Sequence, residues 1–422
     1  MTMRSIASLL ATTLSLTLAA QGGSLTLEQA RAAALAHYPV STDKALYLQA
    51  GELAAKNVSS AWIPQVKGTA RATYQTEVTE FDLSAFGLAP ITISKDQYQA
   101  GLEVEQTLYE FGTTHARREM ELTKAQAQAA QADVDLLKVR ENVDHLYGNI
   151  LLQQANLRIL RSRADEIAAR QSKVESAVRN GVSLKSNAEV LRSEALATQQ
   201  RIVEASTTLA QLTATLGILM GQPVDTTMTF TLPGAPALTT ASTDQRPERQ
   251  LFSLQTTNTE LLSSLTKKKN LPQLHAFANG YYGRPGFNFL NNDLRTYGIV
   301  GVGLSWNIAG YYTQGRELKE HDIQKQLIDD KRQAFDLQQR SDLSKQELEI
   351  AKLDQLAALD EQIVESKTAI RTAAASQLEN GVITAQDYVT YQNAQDQAKL
   401  DLQLHRIQAV MARIDHERTL GL

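Results

Sequence analysis

The sequence predicts a mixed α+β, mostly helical protein in which a strand pair followed by a very long helical hairpin occurs twice. Three observations predict it. Asn180-Gly181-Val182 recurs as Asn380-Gly381-Val382 at an offset of 200. Gly112, six residues before Arg118-Glu119, recurs as Gly310 before Arg316-Glu317, and Pro64-Gln65-Val66 recurs as Pro272-Gln273-Leu274. Between these anchors, alternating segments give way to long heptad runs almost free of Gly and Pro. Anchors repeated in the same order at nearly one offset mark an internal duplication of roughly 200 residues.

The totals fit long helices better than bulky globular cores: of 422 residues, 43% are hydrophobic but only 6% aromatic. A formal charge of −4 leaves no basic footprint for nucleic acid. The one basic run, Lys267-Lys268-Lys269, reads as a solvated helix end. The absence of cysteine excludes a disulfide framework, a thiolate metal site and a lipoprotein anchor.

Taken in order, residues 1–20 read as a secretory signal peptide. Arg4 supplies a charge, 5–18 is uncharged and largely apolar, and Ala19-Ala20 offers small residues for cleavage. Repeat 1 is expected over 21–225, a linker over 226–246 and repeat 2 over 247–422. After the signal, the longest uncharged stretch, 205–224, holds Ser206, Thr207, Thr208, Gln211, Thr213 and Thr215. Such polarity argues against helical membrane insertion, so entry into a membrane would have to be as a β-barrel.

Strands are expected at about 66–79 and 97–109, then at about 274–282 and 296–308. In the first, Val66, Gly68, Ala70, Ala72 and Tyr74 alternate with Lys67, Thr69, Arg71 and Thr73. In the last, Val300, Val302, Leu304, Trp306 and Ile308 share one face and Gly301, Gly303, Ser305 and Asn307 the other. Stretches 80–96, with Gly87 and Pro90, and 283–293 read as loops. Apolar residues on one face, polar or small ones on the other and aromatics near the ends fit an outer-membrane strand. A soluble sheet with one wet face alternates just as well. Four strands cannot close a barrel, so the membrane alternative requires oligomerisation.

Helical hairpins are expected over 113–220, with its tip at 180–182, and over 313–420, with its tip at 380–382. Residues 113–179 alone make a helix of about 100 Å at about 1.5 Å per residue. Val143, Leu146, Ile150, Leu157, Leu160, Ala164 and Ile167 keep a 3-4 spacing with Gln153 filling one position, and Leu191, Ala195, Thr198, Ile202, Ala205 and Leu209 continue it on the return. That repeat implies left-handed coiled-coil packing. In the second copy the spacing slips near Lys352. At each tip, Gly after Asn permits the left-handed turn that ends a helix.

The order of these elements resembles the TolC family of outer-membrane efflux proteins. The residues carrying the resemblance are Gln106-Thr-Leu-Tyr-Glu-Phe-Gly112 and Leu304-Ser-Trp-Asn-Ile-Ala-Gly310 at the strand-to-helix junctions. The two Asn-Gly-Val tips and Arg246-Pro247-Glu248 at the start of the second copy add to it. The resemblance implies a homotrimer: four strands per chain would make a 12-stranded barrel in outer-membrane lipid, continuous with a periplasmic α-helical tunnel. It also implies a passive exit duct for drugs, toxins or proteins, docked by a periplasmic adaptor and an inner-membrane pump in a tripartite efflux or type I secretion system. The hairpin tips 180–182 and 380–382 would contact the adaptor. The family's acidic rings at the tunnel's inner end carry over to Asp387 and Thr390, so only the first position is acidic here. The family's locking partners carry over to Asn187, Leu378 and Ile383, none of which can form a charged link.

No enzyme is expected. His37, His115, His145, His275, His321, His405 and His416 have no metal-ligand spacing, and no nucleophile triad or phosphate loop stands out. Gly298, Gly301 and Gly303 fall inside an alternating strand with no following P-loop lysine. No catalytic residue, cofactor or metal is assigned. Two alternatives remain: a periplasmic adaptor, which normally has one hairpin, and an exported coiled-coil structural protein, which would not need four alternating strands.

Overall fold

A computed structural model describes residues 23–81, 84–87, 91–238, 245–288 and 290–422. The signal-peptide assignment at 1–20 and Pro90 lie outside them. In chain order the elements are β1 (Ser24–Leu25), α1 (Leu27–His37), α2 (Val40–Ser59), β2 (Gln65–Tyr74), β3 (Glu80–Phe81), β4 (Ile91–Thr92), β5 (Asp96–Tyr109), α3 (Thr113–Arg179) and α4 (Lys185–Met220). There follow β6 (Thr229–Phe230), α5 (Pro247–Lys268), β7 (Gln273–Arg284), β8 (Arg295–Ser305), α6 (Tyr311–Glu379) and α7 (Ala385–Leu420). Their described residues fall into two compact units. One is drawn from residues up to 41, 136–238 and 341–422, the other from 42–135 and 245–340.

The second unit holds a four-stranded antiparallel sheet in the order β2-β5-β7-β8. Its register aligns Val66 with Val104, Ala100 with Tyr282, and Ala276 with Val302. Val66, Val104, Ala100, Tyr282, Ala276 and Val302 therefore share one face, while Lys67, Arg71, Glu103 and His275 share the other with Phe277 and Tyr281. Among the described residues nothing covers the apolar face: Val300, Val302 and Leu304 are 79%, 64% and 68% exposed. An uncovered apolar sheet face of this extent marks an interaction surface or lipid contact. Tyr74, Tyr98 and Tyr282 lie towards its loop end, Tyr109, Trp62 and Trp306 towards its helical end, and all six are exposed. From Tyr98 to Tyr109, at roughly 3.3 Å per residue and about 45° of tilt, the rise is roughly 25 Å, the height of an outer-membrane apolar band.

Two strands end earlier than the alternation suggests. β2 stops at Tyr74, and the Gln75 amide then donates to the Lys95 carbonyl at 2.8 Å, closing the loop. β8 stops at Ser305, where Trp306 Nε1 donates to the Asn270 carbonyl at 3.0 Å and Asn307 caps a 3-10 turn over Ile308–Gly310. The 80–96 loop is not structureless: β3 and β4 pair across it, Glu80 with Thr92 and Phe81 with Ile91. The linker also contains a strand, since β6 pairs in parallel with β1.

The first unit buries its core between α1, α3, α4 and α7. Val143, Tyr147 and Ile150 of α3 meet Leu209 and Leu216 of α4 and Ile414 of α7. α1 starts with a Thr26–Gln29 capping box, which satisfies otherwise orphaned helix donors. The Tyr147 hydroxyl lies 2.7 Å from the Leu25 and Thr231 carbonyls and accepts the Thr231 amide at 3.0 Å, tying β1 and β6 together. Burial pushes this phenol up to about 12. Asp144, fully buried, accepts from Arg31 Nε at 2.6 Å and Nη2 at 2.9 Å, so the buried charges are paired in a bidentate fork. The polarity of 205–224 does not take α4 below the limit for crossing a bilayer: by length and composition α4 is the one described helix that passes. Its Leu191, Ala205, Leu209, Leu216 and Met220 are nevertheless buried against protein.

Candidate functional site at the hairpin tips

The two hairpin tips, both in the first unit, are closed by the same backbone chemistry. Gly181 and Gly381 have φ of +74° and +71°, which a Cβ would disfavour. Their amides donate to the Val178 and Leu378 carbonyls at 3.0 and 3.1 Å. The Val182 and Val382 amides reach back to Ala177 and Gln377 at 2.9 and 2.8 Å. These paired bonds satisfy the last carbonyls of α3 and α6 and reverse the chain.

The return helices start differently. At α7, Thr384 and Asp387 form a capping box. The Asp387 amide donates to Thr384 Oγ1 at 3.2 Å, while Asp387 Oδ2 accepts from the Thr384 amide at 3.0 Å and hydroxyl at 2.6 Å. These bonds hold the Asp387 carboxyl below its ordinary 3.8, so it is charged at neutral pH. At α4 the cap is Leu184, whose apolar side chain makes no capping hydrogen bond. Asn187, which stands where Asp387 stands in the other copy, instead accepts the Ala385 amide at 3.1 Å and so caps the other hairpin's helix.

Beneath the turns the hairpins pack together. Val174, Leu191, Ala374, Leu378, Tyr388 and Val389 form an apolar cluster with Ile383 against its edge. Glu166 of α3 is the polar hub above it, accepting from the Arg371 guanidinium, from the Tyr388 hydroxyl at 3.1 Å and from the Gln392 amide at 3.3 Å. Nearer the tip, Glu379 pairs with Arg170 at 2.5 Å and Lys173 at 2.9 Å, and Arg170 stacks 5.2 Å from the Tyr388 ring centre. The Lys173 hydrogen bond, followed by the charges of Lys173 and Arg170, lowers the Glu379 pKa. Further along, Arg163 pairs with Glu194 and lies 3.6 Å from Asp396, whose pKa is raised by burial against that attraction.

The residues singled out from sequence fall into separate places. Val182, Asn187, Asn380, Gly381, Val382 and Asp387 border one cavity of about 750 Å³ with Arg170, Lys173 and Glu379. Asn180 and Gly181 sit on the exposed turn outside it. Thr390 is exposed and returns its hydroxyl to the Gln386 carbonyl at 3.0 Å. Gly112 and Gly310 lie in the other unit, at the starts of α3 and α6, and they are glycines for different reasons. Gly112 has φ +75°, whereas a Cβ on Gly310 would overlap the Asn270 amide. Glu166, Arg371, Tyr388, Gln392 and Glu379 are contributions that sequence reasoning missed. A signal existed for one of them: Gln392 is a polar residue at an inward heptad position, 1% exposed. Among the described residues no group of three His, Asp or Glu side chains could hold a metal ion.

The sheet and the twin hairpins together define a TolC-like outer-membrane channel fold. Residues 33–222 match the family model of outer membrane efflux proteins. Solved structures with the same fold include the outer membrane protein VceC of Vibrio cholerae, at 15% identity and TM-score 0.71 over 94% of this chain and 96% of that one. The CmeC outer membrane channel of Campylobacter jejuni is similar at 13% identity and TM-score 0.72, over 94% and 85%. The open-state MtrE outer membrane channel of Neisseria gonorrhoeae matches at 15% identity and TM-score 0.70, over 94% and 88%. A search of curated protein sequences finds no significant match.

Proposed function

We infer that this chain is the outer-membrane duct of a tripartite efflux or type I secretion system, a passive exit for drugs, toxins or proteins. The observation that carries this is the sheet. Among the described residues its apolar face is bare across four strands, and β2 and β8 are left as unpaired edges. Backbone edges cannot sit in hydrocarbon, so lipid accepts such a sheet only when sibling copies complete the ring. Three copies would supply twelve strands, the number the TolC resemblance implies.

The helices support the same assembly. α6 carries Leu337, Leu348 and Leu359 at 62%, 72% and 54% exposure, a stripe suited to a sibling's helices. The exposed tips at 180–182 and 380–382 are the surface for a periplasmic adaptor, which in turn engages an inner-membrane pump. Asp387, ionised and exposed at the tip, would form a three-carboxylate ring that favours cations. Thr390, one turn on, would stand at the second ring without charge. A soluble adaptor or coiled-coil rod has no use for the uncovered sheet face.

Reconstitution in planar bilayers tests the proposal. The intact oligomer should give discrete, poorly conducting, cation-preferring events, and Asp387→Ala should weaken the cation preference. An intact oligomer that never conducts would count against the duct. Unchanged selectivity in Asp387→Ala would remove that residue from the constriction.

A further inference from the structure

On the polar face of the sheet, aromatic rings of β7 lie over glycines of the neighbouring strand. Phe277 pairs with Gly301 and His275 with Gly303. A Cβ on Gly301 would come within 2.7 Å of the Phe277 ring, and one on Gly303 would overlap the His275 imidazole. Each ring thus fills the space that any other residue at the glycine would need. Burial shows the same cover: Gly301 and Gly303 are half-buried, while Val300, Val302 and Leu304 between and beside them are exposed. Tyr281 also lies against Gly101 of β5, where the Gly280 carbonyl crowds the same space, and its hydroxyl donates to Glu103 at 3.0 Å. None of these glycines has a positive φ, so the requirement is space and not backbone conformation. Glycine inside a strand weakens it, and its use there marks close approach.

We propose that Gly301 and Gly303 let Phe277 and His275 lie flat against the wall and thereby set the free bore of the strand-lined passage. This makes them the positions that keep the strand-lined passage wide, apart from the constriction at the tips, and it rests on the duct function inferred above. A side chain at 301 displaces the Phe277 ring from over the glycine into another staggered rotamer, and the added side chain and the displaced ring together take up room on this face. The change repeats in every sibling, so the bore narrows from several sides at once.

The absence of cysteine in the chain makes a clean test available. Ser305 is on the same face as both rings, two residues beyond Gly303 towards the helical end, so a reagent entering at the loop end passes both rings first. In the full-length, detergent-solubilised Ser305→Cys oligomer, maleimide-polyethylene glycols of graded mass would report the bore. Adding Gly301→Val should slow labelling by the largest reagent that enters the parent by about tenfold, since lining side chains set pore diameter. Labelling by a small maleimide should stay unchanged, and further addition of Phe277→Ala should restore the larger reagent. Labelling in Gly301→Val equal to the parent at every size would overturn the inference. So would a larger size limit in Phe277→Ala alone, because the ring would then already obstruct the passage; that variant leaves the glycine intact should Gly301→Val fail to assemble. If even the small maleimide cannot reach Ser305→Cys but labels Val300→Cys, the polar face is not water-lined and the duct function itself fails.

Discussion

Replacing Glu166 with Ala should loosen the hairpin tips, because one carboxylate of the first hairpin serves three groups of the second. Hydrogen bonds to a charged group contribute about 1.5–3 kcal/mol each when fully enclosed. Glu166 and Arg371 keep side-chain exposures of 28% and 21%, so solvent brings their ion pair nearer to about 1 kcal/mol. Tyr388 is fully buried, and leaving its hydroxyl unpaired adds about 1 kcal/mol more. The total, about 2 kcal/mol, corresponds to roughly a 30-fold shift in the balance between packed and parted tips. Single-channel recording of the reconstituted oligomer should show open probability rising by about that factor in Glu166→Ala. Arg371→Ala in the same background should add little, since the shared partner is already gone. An open probability within about twofold of the parent, with the oligomer intact, would refute the claim that this hub holds the tips together.

Other perturbations probe separate parts of the account. Asp144→Asn leaves the buried Arg31 with only the exposed Glu28, 2.6 Å away, as a carboxylate partner; losing the buried partner costs about 3 kcal/mol, the low end for such a pair. Amide exchange over α1 should therefore accelerate by at least about a hundredfold, and unchanged protection would contradict the pairing. Asp387 has a lowered carboxyl pKa, so its capping contribution is present above the ordinary value of 3.8 and is lost as pH falls through the depressed folded value. Amides at the start of α7 should exchange faster in Asp387→Ala than in the parent at neutral pH, and the two should converge in acid. A difference that persists unchanged in strong acid would show that the carboxylate is not the cap.

The mostly helical class is legible because heptad spacing continues over tens of residues and nothing in 113–179 breaks it. The sheet face is legible for a related reason: Val300, Val302 and Leu304 alternate with Gly301, Gly303 and Ser305, and period two needs no long-range information. Short elements are not visible in this way. β1 and β6 have two residues each, too few for any period, and their pairing joins Leu25 to Phe230 across the whole first hairpin. α5 precedes β7, but its start is marked only by Pro247 and Glu248.

At the tips, Asn-Gly identifies positions where positive φ is needed, since that requirement is local. What holds one hairpin against the other is not local. Glu166 and Arg371 are 205 residues apart and each is an ordinary charged residue in its own helix. Asn187 looks like a weakened copy of Asp387 in sequence, whereas in space it caps the opposite helix. Gly112 and Gly310 look equivalent as a repeat pair, yet one answers to φ and the other to a close neighbour.

The most direct test is the mass of the particle that carries the sheet. Native mass spectrometry of the detergent-extracted protein should find three chains, because four strands with bare edges β2 and β8 leave each copy unfinished in lipid. A single chain that stays folded and dissolved in water with no detergent would contradict it.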